Sequence, residues 1–375
     1  MHRQARKKFQ TIGACVSAMI ISPFLAGMIL KGIPAVAEVA GKIAELTIGV
    51  EEKSNSLEIT DGFDETAVLS EGLGWDFDEF DAEDEDDEQV EYDNTDVGEK
   101  PYPENLDNPT GTVTQTTYGL YSGTQFFNLD KAGQVRNSTH VTNQVLLNQS
   151  RQLPEFTIDL NGEPQVLIMH THTTESFEPY ERDFYDNSFS YRTTDPSKNT
   201  VMIGEEIKKG LTKAGINTIH DTTIHDYPSY NGSYERSEQT VKSYLEQYPS
   251  IKIVLDIHRD ALESNNNLIQ PVANINGKKA AQIMIISGCD DGTMGMPNYL
   301  QNFRLASLFQ QQLEQDWSGL TRPILFDYRK YNQHLTTGSL LIEVGSHGNT
   351  LDQVKYSGEL IGKSLAKALL EIRTQ

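Results

Sequence analysis

Three short segments of the chain combine residue types that can hold a metal ion or move a proton. In chain order they contain His170, His172 and Glu175, then His258 within Asp256 to Asp260, and then Glu343. A catalytic zinc ion typically takes three protein ligands, from imidazole nitrogens and carboxylate oxygens, and keeps its fourth position for water. His172, Glu175 and His258 supply such a set, and His170 competes with His172 because both point the same way in an extended segment. The sequence therefore predicts a Zn²⁺ site with these four residues as candidate ligands.

Glu343 and Arg259 are the candidate catalytic residues. Glu343 follows the apolar run 340–342, and burial raises the pKa of a carboxyl group toward the range useful for a general base. We expect Glu343 to take a proton from the attacking water and to pass it to the departing amine. Arg259 should point away from His258, toward a substrate carboxylate or a developing oxyanion. Asp256 and Asp260 share the face of His258, and either one is expected to accept its second N–H.

Alternating strands and helices must bring these segments together. Apolar runs predict strands at 166–169, 251–257, 283–286 and 340–342. Helices are predicted over 201–214, from a cap at Ser237 onward, over 305–317 and over 356–372. This order predicts an α/β fold with a mixed, largely parallel sheet and helices on both faces. Since sites in such sheets lie beyond the carboxyl ends of the strands, the three segments should converge there.

The first third of the chain has no core-forming pattern. Basic residues precede the uncharged run Ile12–Leu30, which is long enough to predict a transmembrane anchor with the bulk of the chain outside, although 35–37 also fits a signal-peptidase site. Ser54 to Glu99 carry nineteen acidic residues and no Lys or Arg, which accounts for 19 of the 23 net negative charges. Such a segment predicts a disordered linker, and no nucleic-acid partner is expected. We expect a tail and anchor at 1–33, a linker at 34–110 and a catalytic domain at 111–375.

Four motifs, in order, closely resemble the stage II sporulation protein P (SpoIIP) family of endospore-forming Firmicutes. They occupy residues 166–177, 234–237, 249–261 and 333–349, and the resemblance runs from about Gly162 to the C-terminus. It implies the fold of N-acetylmuramoyl-L-alanine amidases, which is also a zinc exopeptidase-like fold. It further implies zinc-dependent cleavage of the amide between N-acetylmuramic acid and L-alanine, in septal wall thinning and forespore engulfment.

The resemblance also implies partners and residue roles. The partners are a SpoIID-like lytic transglycosylase and a SpoIIM-like membrane protein, and a second D,D-endopeptidase activity against cross-links is implied. Position by position, His258 matches a zinc ligand, Glu343 the catalytic glutamate, and 170–175 the remaining ligands. Amidases usually take their ligand Glu from the start of the first helix, where this chain has Lys198-Asn199-Thr200, so Glu175 is the expected substitute. A zinc D,D-endopeptidase or carboxypeptidase acting only on cross-links is the alternative.

Overall fold

The computed structural model describes residues 98–374, so the predicted membrane anchor and most of the predicted linker lie outside the described residues. The strands are β1 Gly111–Thr116, β2 Phe126–Asn128, β3 Gln134–Asn137, β4 Val166–Met169, β5 Phe184–Tyr185, β6 Thr218–His220, β7 Ile253–Asp260, β8 Glu263–Ser264, β9 Asn267–Ile275, β10 Lys278–Ala281, β11 Ile283–Gly288, β12 Ile324–Asp327 and β13 Ser339–Ser346. The helices are α1 Asn143–Ser150, α2 Thr200–Lys213, α3 Ser233–Gln247, α4 Tyr299–Asp316 and α5 Leu351–Glu371. From residue 98 to residue 374, no helix combines the length and apolar character needed to cross a bilayer.

The main sheet has eight strands in the order β2-β3-β12-β11-β13-β7-β4-β6. Only the pairs β2–β3 and β11–β13 are antiparallel, and the other neighbours are parallel. Parallel neighbours need a long crossover, and helices α2 and α3 supply it between β4, β6 and β7. The predicted mixed, largely parallel α/β sheet is confirmed.

Strand β4 shows why helices cover both faces of this sheet. Its four apolar residues, 166–169, are at most 1% exposed, and successive side chains of a strand point to opposite faces. Val166 and Ile168 belong to the core that includes residues of α2 and α5, whereas Leu167 and Met169 pack with Val241 of α3. A strand between two helical layers therefore has no polar position in its sequence.

Helix α3 begins earlier than predicted. Gly232, with φ 76°, occupies the N-cap position, and the helix starts at Ser233. The expected cap, Ser237, lies inside the helix, where its hydroxyl is hydrogen-bonded to Thr171 Oγ1 at 2.8 Å. The prediction of Ser237 as the cap was wrong, because this hydroxyl makes a tertiary contact with the loop that follows β4.

A second sheet, which was not predicted, lies beside the first in the order β10-β9-β1-β5, with β8 paired to β9. Residues 98–110, which the sequence assigns to the linker, pack along the folded part of the chain. Leu106 is 5% exposed and packs with Tyr185 and Phe189, and the Tyr102 hydroxyl donates to the Phe177 carbonyl at 2.9 Å. We therefore propose that the folded domain begins by Gly98 rather than at Gly111.

Candidate metal centre and catalytic residues

The three chemistry-bearing segments lie at one edge of the main sheet. Strands β4, β7 and β13 are adjacent and parallel, so their carboxyl ends point the same way. The register pairs Met169 with Asp256 and His258 with Glu343. Residues that are far apart in the sequence therefore meet in space, as the alternation of strands and helices predicted.

His172, Glu175 and His258, termed here the His/Glu/His group, come together as one cluster. One ligand atom from each lies within 4.8 Å of the others, and the three residues are between 3% and 8% exposed. Glu175 Oε1 is 3.5 Å from His172 Nδ1, and Glu175 Oε2 is 3.7 Å from His258 Nδ1. Both imidazole rings therefore turn the same nitrogen, Nδ1, toward the carboxylate between them.

The opposite nitrogens of the two rings each lie close to an outer partner. His258 Nε2 lies 2.9 Å from Asp256 Oδ1, and His172 Nε2 is hydrogen-bonded to Ser233 Oγ at 3.2 Å. With Nε2 turned toward an outer partner, each ring leaves Nδ1 facing inward, which is how metal-bound histidines are usually oriented. Of the two predicted candidates, Asp256 takes this position, and Asp260 does not.

The charges around the group favour a cation. Burial opposes ionisation of Glu175, but its hydrogen bond to His172 and the positive charge of Arg259 hold its pKa below the usual range. Burial likewise opposes the charged form of His258, yet Asp256 and Glu175 overcome this and raise the pKa of His258 to about 10. Two carboxylates thus favour a positive charge at this buried imidazole, and a metal ion bound there would take the place of the proton.

The donor set fits zinc. Two imidazole nitrogens and one carboxylate oxygen are a ligand set found in catalytic zinc sites, and the donors here face one another with their outer nitrogens already occupied. Within residues 98–374, this is the group of His, Cys, Asp and Glu side chains whose donor atoms converge closely enough to hold a metal ion.

His170, the alternative ligand, lies apart from this group. Its Nδ1–H donates to the Ile257 carbonyl at 2.9 Å, and its Nε2 is 2.9 Å from His220 Nε2. Gly204 on helix α2 makes this contact possible, because a Cβ there would lie 2.5 Å from the ring nitrogen of His220. The geometry supports His172 over His170 as the ligand from this segment.

Glu343 lies beside the group on strand β13 and keeps one oxygen unpaired. It is 7% exposed, and Oε2 has no hydrogen-bond partner among the described residues. Burial, strengthened by the charge of Asp260, raises the pKa of Glu343 to about 8 despite the nearby His258. A carboxyl group in this state suits proton transfer near neutral pH.

Arg259 makes contacts that favour a positioning role. Its guanidinium donates to the carbonyls of Ser176, at 3.0 Å, and Tyr191, at 3.3 Å. Its backbone N–H donates to Glu175 Oε2 at 3.0 Å. The contact with substrate expected for Arg259 is therefore less well supported than a role in holding Glu175.

Asp260 forms a buried ion pair of 2.7 Å with Arg322.

Sequence reasoning missed two residues at the mouth of the site. Tyr230 stacks on His172 with ring centroids 4.6 Å apart, and the Arg192 guanidinium lies 4.7 Å from the centre of the Tyr230 ring. Arg192 Nη2 is 3.8 Å from Glu175 Oε1. Both residues belong to irregular segments, and no pattern in the sequence signals them.

The chain belongs to the Stage II sporulation protein P (SpoIIP) family, which it matches over residues 73–366. It is also similar to the Stage II sporulation protein P of Bacillus subtilis (strain 168), with 27% identity over 201 residues. The aligned stretch covers 51% of this chain and 47% of that relative, so the chain spans about half the length of the curated relative it matches.

Solved structures similar to this chain include several amidases. The N-acetylmuramoyl-L-alanine amidase AmiC2 of Nostoc punctiforme is 12% identical, with a TM-score of 0.33, over 55% of this chain and 96% of that chain. The CwlD amidase from Clostridioides difficile, in complex with the GerS lipoprotein, is 12% identical, with a TM-score of 0.35, over 56% of this chain and 98% of that chain. Because these scores are low, the description of the fold rests on the strand order and register above.

Proposed function

We propose that this protein is a zinc-dependent N-acetylmuramoyl-L-alanine amidase that thins septal peptidoglycan during sporulation. One observation carries the proposal: a buried His/Glu/His group, with both Nδ1 atoms turned inward, lies beside a buried carboxylate with a free oxygen. Membership of the SpoIIP family supports the setting in sporulation.

The proposed chemistry divides the work between ligands and base. His172, Glu175 and His258 would hold the zinc ion, which supplies Lewis-acid chemistry by polarising the scissile carbonyl and lowering the pKa of water. Glu343 takes a proton from the attacking water at its unpaired Oε2. It then delivers that proton to the departing amine of L-alanine. Ser233 and Asp256 keep the two imidazole rings in orientation throughout.

The same chemistry hydrolyses any suitably placed amide, so a D,D-endopeptidase activity against stem-peptide cross-links accompanies this proposal. An enzyme that cuts only the cross-links is the alternative. A digest of purified peptidoglycan distinguishes them, because a free lactyl carboxylate on muramic acid forms only when the sugar–peptide amide is cut. We expect that product by mass spectrometry, and we expect it to vanish after zinc chelation and to return when zinc is added. Cross-link cleavage without free muramic lactyl groups would establish the alternative.

We further propose that residues 1–33 anchor the protein in the cell membrane with the catalytic domain outside. Support comes from the basic flank and the uncharged run Ile12–Leu30. In this position the enzyme would act beside a SpoIID-like lytic transglycosylase and a SpoIIM-like membrane protein. Membrane fractionation and co-purification of the full chain from sporulating cells test both statements, and recovery of the enzyme only as a cleaved, released form would contradict the anchor.

A further inference from the structure

Arg192 extends the site beyond the His/Glu/His group. An isolated antiparallel bridge pairs its backbone with that of Glu175, which fixes the arginine next to a proposed ligand. Its guanidinium lies over the Tyr230 ring, 4.7 Å from the ring centre, and that ring stacks on His172. A cation and an aromatic ring therefore contact two residues of the proposed metal centre: Arg192 contacts Glu175, and Tyr230 contacts His172.

This arginine differs from the other two arginines around the site in its exposure. Arg259 and Arg322 are 8% and 5% exposed, and both are engaged inside the fold. The Arg192 side chain keeps 23% of its surface accessible, and Tyr230 keeps 41%. The pair therefore offers an accessible guanidinium and an accessible aromatic ring beside the His/Glu/His group.

One side of the Arg192 guanidinium is already fixed. Nη1 donates to Asp226 Oδ2 at 2.6 Å, and Asp226 in turn accepts hydrogen bonds from the backbone N–H and the hydroxyl of Thr174. Among residues 98–374, Nη2 makes only the 3.8 Å approach to Glu175 Oε1. A guanidinium that is already held at one nitrogen loses less side-chain entropy when it binds a further partner, and carboxylates are well matched to its geometry.

We propose that Arg192 and Tyr230 form a binding subsite for a carboxylate of the leaving stem peptide. The inference rests on the proposed amidase function. In a muramoyl peptide, the lactyl carboxyl is consumed in the scissile amide, so the glycan side carries no other carboxylate near the bond. The nearest free carboxylate lies on the peptide side, as the α-carboxyl of the second, γ-linked glutamyl residue. In this arrangement the stem peptide lies over Tyr230, and the glycan strand extends away from the metal centre on the side opposite to Tyr230.

Two muramoyl tripeptides test this subsite. They share the sequence L-alanyl-γ-D-glutamyl-L-lysine amide and differ only in whether the glutamyl α-carboxyl is free or amidated. Hydrogen bonds between charged groups are stronger than those between neutral groups. For the wild-type protein we therefore expect the KM of the substrate with the free carboxylate to be about ten- to a hundredfold lower than that of the amidated substrate. Arg192→Gln should lose that preference, whereas Lys209→Gln, which removes an exposed charge on α2, should keep it.

A second measurement separates binding from catalysis. The released tripeptides, free and amidated, are titrated by calorimetry into the zinc-loaded wild type and into Arg192→Gln, with zinc content and melting temperature recorded for both. Loss of the affinity difference in the variant supports the subsite. Equal affinities for the two peptides in the wild type, or an unchanged difference in Arg192→Gln, overturn it. If the wild type binds the free-carboxylate peptide better but hydrolyses neither muramoyl peptide, the subsite stands and the amidase function falls.

Discussion

The carboxylate of Asp256 reaches the imidazole of His258 along strand β7, where Oδ1 lies 2.9 Å from Nε2. The same carboxylate accepts hydrogen bonds from the backbone N–H of Thr171, at 2.8 Å, and from its hydroxyl, at 2.7 Å. Asp256 therefore joins the strand that carries His258 to the turn that carries His172. The relative placement of two proposed ligands depends on a residue that is not itself a ligand.

Asp256→Asn should weaken zinc binding without abolishing it. The amide keeps the size of the side chain but loses the negative charge that lies 2.9 Å from His258 Nε2, and removing such an outer partner of a metal ligand typically costs about 10- to 100-fold in metal affinity. Competition with a chelating dye measures the dissociation constant. Asp327→Asn, which disrupts a partly exposed pair with Arg329, is the matched control. An unchanged zinc affinity in Asp256→Asn would show that the contact between Asp256 and His258 does not contribute to zinc binding.

His258→Ala and Glu175→Ala should each lose the metal and the activity together, because two remaining ligands hold zinc poorly. Elemental analysis of purified protein gives the zinc content directly.

The informative comparison is His170→Asn, whose amide can still donate to the Ile257 carbonyl. We expect it to retain about one zinc while losing roughly 1–3 kcal/mol of stability, since the buried contact with His220 is broken. If His170→Asn lost its zinc, His170 would have to be restored to the set of ligands.

Glu343→Gln should separate binding from catalysis. The substitution keeps the size and hydrogen-bonding capacity of the side chain but removes its basicity, and general acid–base assistance is typically worth about 10²–10⁴-fold in rate. Zinc should stay near one per chain while release of stem peptide from peptidoglycan falls by about that factor. Loss of zinc would make Glu343 a ligand, and an unaltered rate would direct the search for the base to His347, whose Nδ1 is also buried and unpaired among the described residues.

A chain that begins at Gly98 should be more stable than one that begins at Thr112. The shorter chain loses the buried Leu106 and the Tyr102 hydrogen bond, and burying one large apolar side chain is worth about 1.5–3 kcal/mol. We expect a lower melting temperature for the chain that begins at Thr112, with zinc binding retained at low temperature. Equal melting temperatures would place the domain boundary at Gly111, as the sequence alone suggested.

The strands of the site were predictable because burial on both faces leaves an unmistakable apolar run. The choice between His170 and His172 was not, since the assumption of an extended segment fails: residues 171–174 form a turn, and Asp256 anchors its first residue. That turn sends His170 toward α2 and His172 toward Glu175. Arg192 could not be found from the sequence, because its place depends on tertiary contacts: a backbone bridge to Glu175 and a hydrogen bond to Asp226.

The order of the site residues along the chain has a consequence for the newly made protein. Of the three site segments, β4 and the turn after it are synthesised first. His258 follows Glu175 by eighty-three residues, and Glu343 follows His258 by eighty-five. A nascent chain that ends before β7 offers only two of the three proposed ligands, and one that ends before β13 still lacks the proposed base. On the proposed function, a chain under synthesis cannot hydrolyse peptidoglycan until Glu343 has been added, because the complete set of ligands and base does not exist before that point.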